Sequence, residues 1–324
     1  MARILVLLSA LCFGTTGTAQ ALGPDASPAV VGSARILVGG LLLLLVARLM
    51  RGPSLPWARV PIALGALGVA GYQLTFFAAV SETGVAVGTV VALGSGPVFT
   101  GLLGRVVEGE PFTRRWLWAT GLAVVGVTVL VAAGAQATIA PGGVLLALGA
   151  GLSYATYTVA AKGLLSAGHT PEATMAQLFA WGALLLLPVL VLAGPGEIAS
   201  PSGVALAVYL GAVPTALAYV LFARGLRHLP AGEVATLTLA EPLTAAALGA
   251  IVLGERPGVL ALGGVALVLA GLIVLAVPGR RAADPAVGLA EEAPTGAPVA
   301  TVPGTAAGLA RTGRQAPPTR QGRP

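Results

Sequence analysis

The chain has 324 residues, of which 56% are hydrophobic and only 9% charged, with a mean hydropathy of +0.91. Soluble domains carry about 25% charged residues, so polar surface is too scarce here to cover a globule in water, and part of the solvent must be lipid. The pI near 10.2 does not make the chain a nucleic-acid binder, because aromatics are 5%, lysine occurs once, and the arginines stand at the ends of apolar runs rather than on one face.

A helix needs about 20 apolar residues to cross the hydrocarbon core. Ten such runs follow one another, at roughly 4–22, 30–47, 60–81, 84–104, 116–135, 142–161, 173–193, 203–223, 231–253 and 258–277. They are too long for barrel strands and lack a two-residue alternation. Turn chemistry separates them, as at Gly23-Pro24, Gly52-Pro53, Pro141-Gly142-Gly143 and Gly194-Pro195-Gly196. The first run, with Arg3 ahead of it and Ala19-Gln20-Ala21 behind, also has the outline of a signal peptide. The repeat described below requires it as a span. Residues 278–324 lack aromatics, are rich in Pro, Gly and Ala, and read as a disordered, solubilising tail.

Basic residues collect on the cytoplasmic side of short loops. With the N-terminus inside, twelve fall on that side: Arg3, Arg48, Arg51, Arg59, Arg105, Arg114, Arg115, Lys162, Arg224, Arg227, Arg280 and Arg281. Arg256 alone falls outside. This alternation predicts an even number of spans with both termini cytoplasmic, in the cell's inner membrane. Trp57, Trp116 and Trp118 lie near inner loops, where an aromatic belt is expected.

The halves repeat. Gly96-Pro97-Val98-Phe99-Thr100 and Gly109-Glu110 have counterparts, at one constant offset, in Glu241-Pro242-Leu243-Thr244-Ala245 and Gly254-Glu255. Phe77 matches Phe222, and Val85-Ala86 matches Pro230-Ala231, at the same offset. The expected domains are therefore a five-helix repeat over 1–134, a second over 142–277 and the tail. Five is odd, so the second repeat runs inverted through the membrane, the arrangement of secondary transporters with a site near the midplane. The fold class is an all-α integral membrane protein.

Polar residues single out candidate walls for that site. Spans 1, 3, 6, 8 and 9 carry Thr15, Thr16 and Gln20, then Tyr72 and Gln73, then Tyr154 and Tyr157, then Tyr219, then Thr238. Many threonines in membranes simply bond their own helix backbone. Spans 5 and 10 are almost wholly apolar and are left for lipid or for a partner chain in a homodimer. Two ionisable residues lie well inside spans, where a charge costs about 2.5–3.5 kcal/mol on insertion scales. Glu241, followed by the kink-forming Pro242, suits a substrate or proton site, against the plain reading of a structural carboxylate. Arg35 suits a structural ion pair or an anionic group of the substrate. Pro97 is the matching kink in span 4. Glu110 and Glu255 follow spans 4 and 9 and read as caps or gate contacts. Gly65-x-x-Gly68-x-x-Gly71 reads as helix packing, not as a phosphate loop.

Taken together, Phe13-Gly14, Pro28, Arg35, Phe77-Ala78, Pro97-Val98-Phe99, Gly109-Glu110, Phe222-Ala223, Glu241-Pro242-Leu243 and Gly254-Glu255 resemble the drug/metabolite transporter superfamily, specifically the ten-span EamA-type permeases. The resemblance implies export or uptake of a small metabolite. Two positions depart from symmetry: Leu178 stands where Arg35 would recur, and Gly96 where Glu241 would. An enzyme would need a nucleophile, base or metal constellation within the spans. The sequence offers only Cys12 as cysteine, with His169 and His228 in loops. No cofactor motif and no ATP site is present, so the expected activity is secondary transport of an amino acid or similar solute, most readily export, by alternating access, coupled to a proton or solute gradient; a membrane-embedded enzyme and a non-transporting receptor or scaffold are the alternatives.

Overall fold

In hydrocarbon every backbone N–H and C=O must be bonded within the chain, and only helices and closed barrels achieve this. A computed structural model describes residues 1–50, 58–132, 140–256 and 258–276, and throughout them the apolar runs are helical. The helices are α1 (Ala2–Ala21), α2 (Pro28–Met50), α3 (Arg59–Gly84), α4 (Val87–Val107), α5 (Arg114–Ala132), α6 (Pro141–Ser166), α7 (Pro171–Ala193), α8 (Pro201–Leu226), α9 (Ala231–Val252) and α10 (Val259–Ala276). Among the described residues, nine are long and apolar enough to cross a bilayer by length and composition. The tenth, α10, is apolar and 18 residues long. Each expected run falls on one helix. The expected tail, the loop at Gly52-Pro53, Arg51 and Trp57 lie outside the described residues.

The chain is a multi-pass membrane protein of two inverted five-helix repeats, and their likeness extends to backbone geometry. Gly109 and Gly254, just past α4 and α9, both take φ 71°. Glu110 N–H donates to the Gly104 carbonyl at 3.2 Å, and Glu255 N–H to the Gly249 carbonyl at 3.1 Å. This six-residue closure is a helix stop that needs a left-handed residue, which only glycine adopts without strain. The repeats differ at the joint between their third and fourth helices. In the second repeat a turn at 227–230 separates α8 from α9. In the first, α3 runs into α4 with no loop, the break resting on Gly84 alone (φ 79°, ψ 162°).

The repeats meet along glycines. A Cβ at Gly68 of α3 would stand 2.8 Å from the Ser153 carbonyl of α6, and one at Gly65 would stand 2.6 Å from Leu178 of α7. The glycine spacing read as packing thus lies on the seam between repeats. Gly126 and Gly264 bring α5 and α10 equally close to each other. Two of the basic residues predicted on one face close helix ends there. Arg115 donates to the Val274 and Leu275 carbonyls at 2.6 and 2.8 Å, and Lys162 to those of Leu226 and Leu229 at 3.0 Å each. Positive charge at a helix C-terminus complements the carbonyl end of the dipole.

Candidate functional site

Between the repeats lies a cavity of about 490 Å³, within the range of small-molecule sites. Its wall is drawn from α1, α2, α3, α4, α6, α8 and α9, and none of it from α5, α7 or α10. It extends from mid-membrane toward the face opposite the N-terminus, where Gln20, Pro28, Val80, Thr89 and Ala245 line it. The amino-terminal face is tied across the repeats by Arg3 Nε on Glu233 at 2.6 Å and by Glu110 on the α9 start. The structure is therefore closed on the face that carries the N-terminus.

Helix irregularities shape the wall. Pro214 has no N–H for the Leu210 carbonyl. The Thr215 hydroxyl donates there instead, at 2.8 Å, and residues Ala212–Leu217 widen into a π turn that presents Pro214 to the cavity. Such turns cluster at functional sites. In α9 the α-helical hydrogen bonding changes to a 3₁₀ turn at Thr238–Ala240 and restarts at Glu241, with Pro242 in the first helical turn. The Glu241 N–H serves the Thr238 carbonyl in place of the donor that Pro242 lacks. This break places the Glu241 and Thr238 side chains in the cavity wall. The backbone stays helical at Pro97; the break lies at Gly84, between α3 and α4.

Glu241, Arg35, Gln20, Tyr72, Gln73, Tyr154, Tyr157, Tyr219, Thr238 and Pro97 all line the one cavity. Thr15 does not. Its hydroxyl donates to the Cys12 carbonyl at 2.8 Å, and Thr16 stands in the wall instead. Thr75, Thr83, Thr100, Thr128 and Thr156 likewise bond the carbonyl four residues back. Pro242 is buried beside the wall, and Glu110 and Glu255 lie at opposite faces, outside the cavity. The wall also contains Phe76, Thr89 and Pro214, which polarity counts do not single out. A proline inside an apolar run is the signal for the last.

The tyrosines form a bonded layer. Tyr154 Oη and Thr238 Oγ1 are 3.0 Å apart, and Tyr157 Oη and Tyr219 Oη 2.9 Å. Tyr219 packs between Phe13 and Phe179, with ring centroids at 5.0 and 4.2 Å. The hydroxyls are thus fixed as donors and acceptors over an aromatic floor.

The ion pair expected for Arg35 is not formed. The ion pairs among the described residues are Arg3–Glu233 and Arg224–Glu172, both near the amino-terminal face. Arg35 Nε is buried and has no hydrogen-bond partner. Arg35 and Glu241 lie within electrostatic reach without touching. A buried guanidinium N–H left open is costly, and such groups in membranes commonly mark substrate paths.

The EamA-like transporter family matches residues 1–132 and 141–277. The chain belongs to this family. It is a membrane transporter of the drug/metabolite type and not an enzyme. It is 41% identical over 280 residues, 86% of this chain and 94% of the relative, to the uncharacterized transporter YwfM of Bacillus subtilis. It is 30% identical over 257 residues (74% and 84%) to a probable amino-acid metabolite efflux pump of Salmonella typhimurium. Over 253 residues (78% and 83%) it is 29% identical to the threonine/homoserine exporter RhtA of Escherichia coli. A solved crystal structure covering 85% of this chain and 96% of its own shares the fold, with a TM-score of 0.75 at 21% identity.

Proposed function

We propose that this EamA-type transporter exports a zwitterionic amino acid with an apolar side chain across the cytoplasmic membrane, by alternating access. One observation carries the reading: the cavity wall holds one guanidinium, whose buried Nε has no hydrogen-bond partner, and one carboxylate, near each other but not in contact. An α-amino acid supplies the missing partner to each, its carboxylate to Arg35 and its ammonium to Glu241. The site is neutral overall, so it favours a zwitterion over an anion or a cation. The remaining wall, with Phe13, Phe76, Phe77 and the tyrosines, suits an apolar side chain. Two relatives named for amino-acid export support an amino-acid substrate.

Export is supported by the two relatives named for it, and the outward-opening cavity is a state that an exporter passes through. The arginine alternation puts the amino-terminal face in the cytoplasm, so the cavity here opens outward, as it would after release. Among the described residues, Glu241 is the one carboxylate in the cavity wall, and it serves as the proton site. Exchange of a bound ammonium for a proton at one carboxylate couples export to proton entry.

Counterflow in proteoliposomes tests the reading. Saturable exchange is expected for amino acids with apolar side chains, and none for their amides or N-acetyl derivatives. Equal exchange of the blocked analogues would sink the zwitterion assignment. Glu241→Gln should abolish flux driven by a pH gradient while the purified protein stays monodisperse. Unchanged pH-driven flux would remove Glu241 as the proton site.

A further inference from the structure

We infer that Glu110 and Glu255 are exchangeable helix caps, each closing one face of the transporter, so that Glu255 takes the N-terminus of α4 when Glu110 lets go of the N-terminus of α9. The inference rests on the alternating-access reading above, and names two residues that hold its end states.

The turns that carry the two glutamates are built alike. Besides the shared left-handed glycines, Glu108 N–H and Leu253 N–H return to the Gly104 and Gly249 carbonyls at 3.0 and 3.1 Å. Each carboxylate lies back over its glycine: a Cβ at Gly104 would meet Glu110, and one at Gly249 would meet Glu255. The turn therefore gives both carboxylates one orientation relative to their own helix.

Only one of them is engaged with the other repeat. Both oxygens of Glu110 accept from Ala231 N–H, at 2.8 and 2.9 Å. Ala231 opens α9, and the residue before it, Pro230, has no side chain that could cap. A helix start leaves free N–H groups and a partial positive charge, so α9 takes its cap from the end of α4. Glu255 ends α9, and its side chain is exposed while Glu110 is half-buried.

Inverted equivalence names the partner that Glu255 lacks. The offset that relates Glu110 to Glu255 relates Ala86 to Ala231. In the chain Ala86 comes directly before Val87, the first residue of α4, and two residues after Gly84; the residue before it, Val85, is of a type that carries no capping acceptor. Thr89 of α4 and Ala245 of α9 flank the open mouth of the cavity. Closing that mouth brings the end of α9 to the start of α4, as the end of α4 already meets the start of α9.

Removing a helix cap shifts a two-state balance by roughly 2- to 30-fold. The test uses the full chain in oriented vesicles, in a Cys12→Ser background with Ala245→Cys as reporter. The reporter is labelled by a membrane-impermeant maleimide from the side opposite the N-terminus. Glu255→Ala should raise the labelling rate, and Glu110→Ala should lower it, each within that range. Ala86→Pro removes the N–H that Glu255 would use while respecting a helix start. It should raise labelling as Glu255→Ala does, and the pair should not add. Unchanged labelling in Glu255→Ala, or a shift in the same direction for both glutamates, would overturn the exchange. So would additive effects of Glu255→Ala and Ala86→Pro. Labelling needs no substrate, so failure of the amino-acid assignment would leave this result readable.

Discussion

The two repeats are nearly interchangeable where they end and unlike where they meet. Their fourth helices stop at the same glycine turn with the same hydrogen bonds. At the cavity, however, the first repeat contributes Arg35 and Gly96, and the second contributes Glu241 opposite in sequence to Gly96, while Leu178, which matches Arg35, stands outside the wall. Leu178 is fully buried against Gly65, and Gly96 faces Tyr154 in the wall. Symmetry thus resides in the helix ends, and asymmetry in the groups that line the cavity. A strictly symmetric site would carry two arginines or two carboxylates and would repel part of a zwitterion. One of each gives a dipolar site.

The largest expected effect comes from erasing that asymmetry. Arg35→Leu copies the second repeat into the first, and Glu241→Gly does the reverse. A charge-assisted hydrogen bond contributes about 1.5–3 kcal/mol, so either change should lower kcat/KM for exchange roughly tenfold to a hundredfold or more. Arg35→Leu should impair substrates that have a free carboxylate and spare an amine that lacks one. Equal loss for both substrate types in a well-folded variant would show that Arg35 does not read the carboxylate.

The next effect contrasts the seam between repeats with the lipid-facing periphery. Gly68→Leu places a side chain against the Ser153 carbonyl, where overpacking costs on the order of 1–3 kcal/mol or more. Gly121, on α5, has nothing within 4 Å of an added Cβ. Gly68→Leu should lower the thermal midpoint in detergent by several degrees, and Gly121→Leu should leave it within error. A reversed order would place the seam elsewhere. A smaller contrast lies within one helix. Thr16→Val should change KM a few-fold and Thr15→Val should not, because only the Thr16 hydroxyl is in the wall.

These contrasts also show what the sequence could and could not reveal. The ten spans were legible because lipid forces long apolar helices, and the Arg alternation keeps their number even. Arg35 and Glu241 were legible because charge inside a span is costly and therefore rare. The α4 wall was not, since Ala92, Leu93 and Gly96 line it with backbone and small apolar groups that polarity counts pass over. Thr15 and Thr16 are adjacent, and composition cannot say which hydroxyl turns back to its own helix. The π turn at Pro214 depends on Thr215 replacing a lost backbone donor, a local exchange that hydropathy does not register. The loopless joint at Gly84 depends on one left-handed residue, and the same offset in the second repeat holds a turn.

The smallest expected effect returns to the paired glutamates. Burial in the loop after α4 pushes the Glu110 carboxyl above the ordinary carboxylate range, with the Ala231 N–H and Lys162 pulling it partly back. Just above the ordinary pKa of a glutamate, the folded chain still holds a proton there that the unfolded chain has lost. Stability contributed by this group therefore falls as pH rises through that window. Thermal midpoints across roughly pH 4 to 6 should show a shallower decline in Glu110→Gln than in the parent, with Glu255→Gln as the comparison on the other repeat. An unchanged slope in Glu110→Gln would mean that the cap on α9 keeps its full hydration. The half-buried contact would then be looser than its 2.8 Å geometry describes.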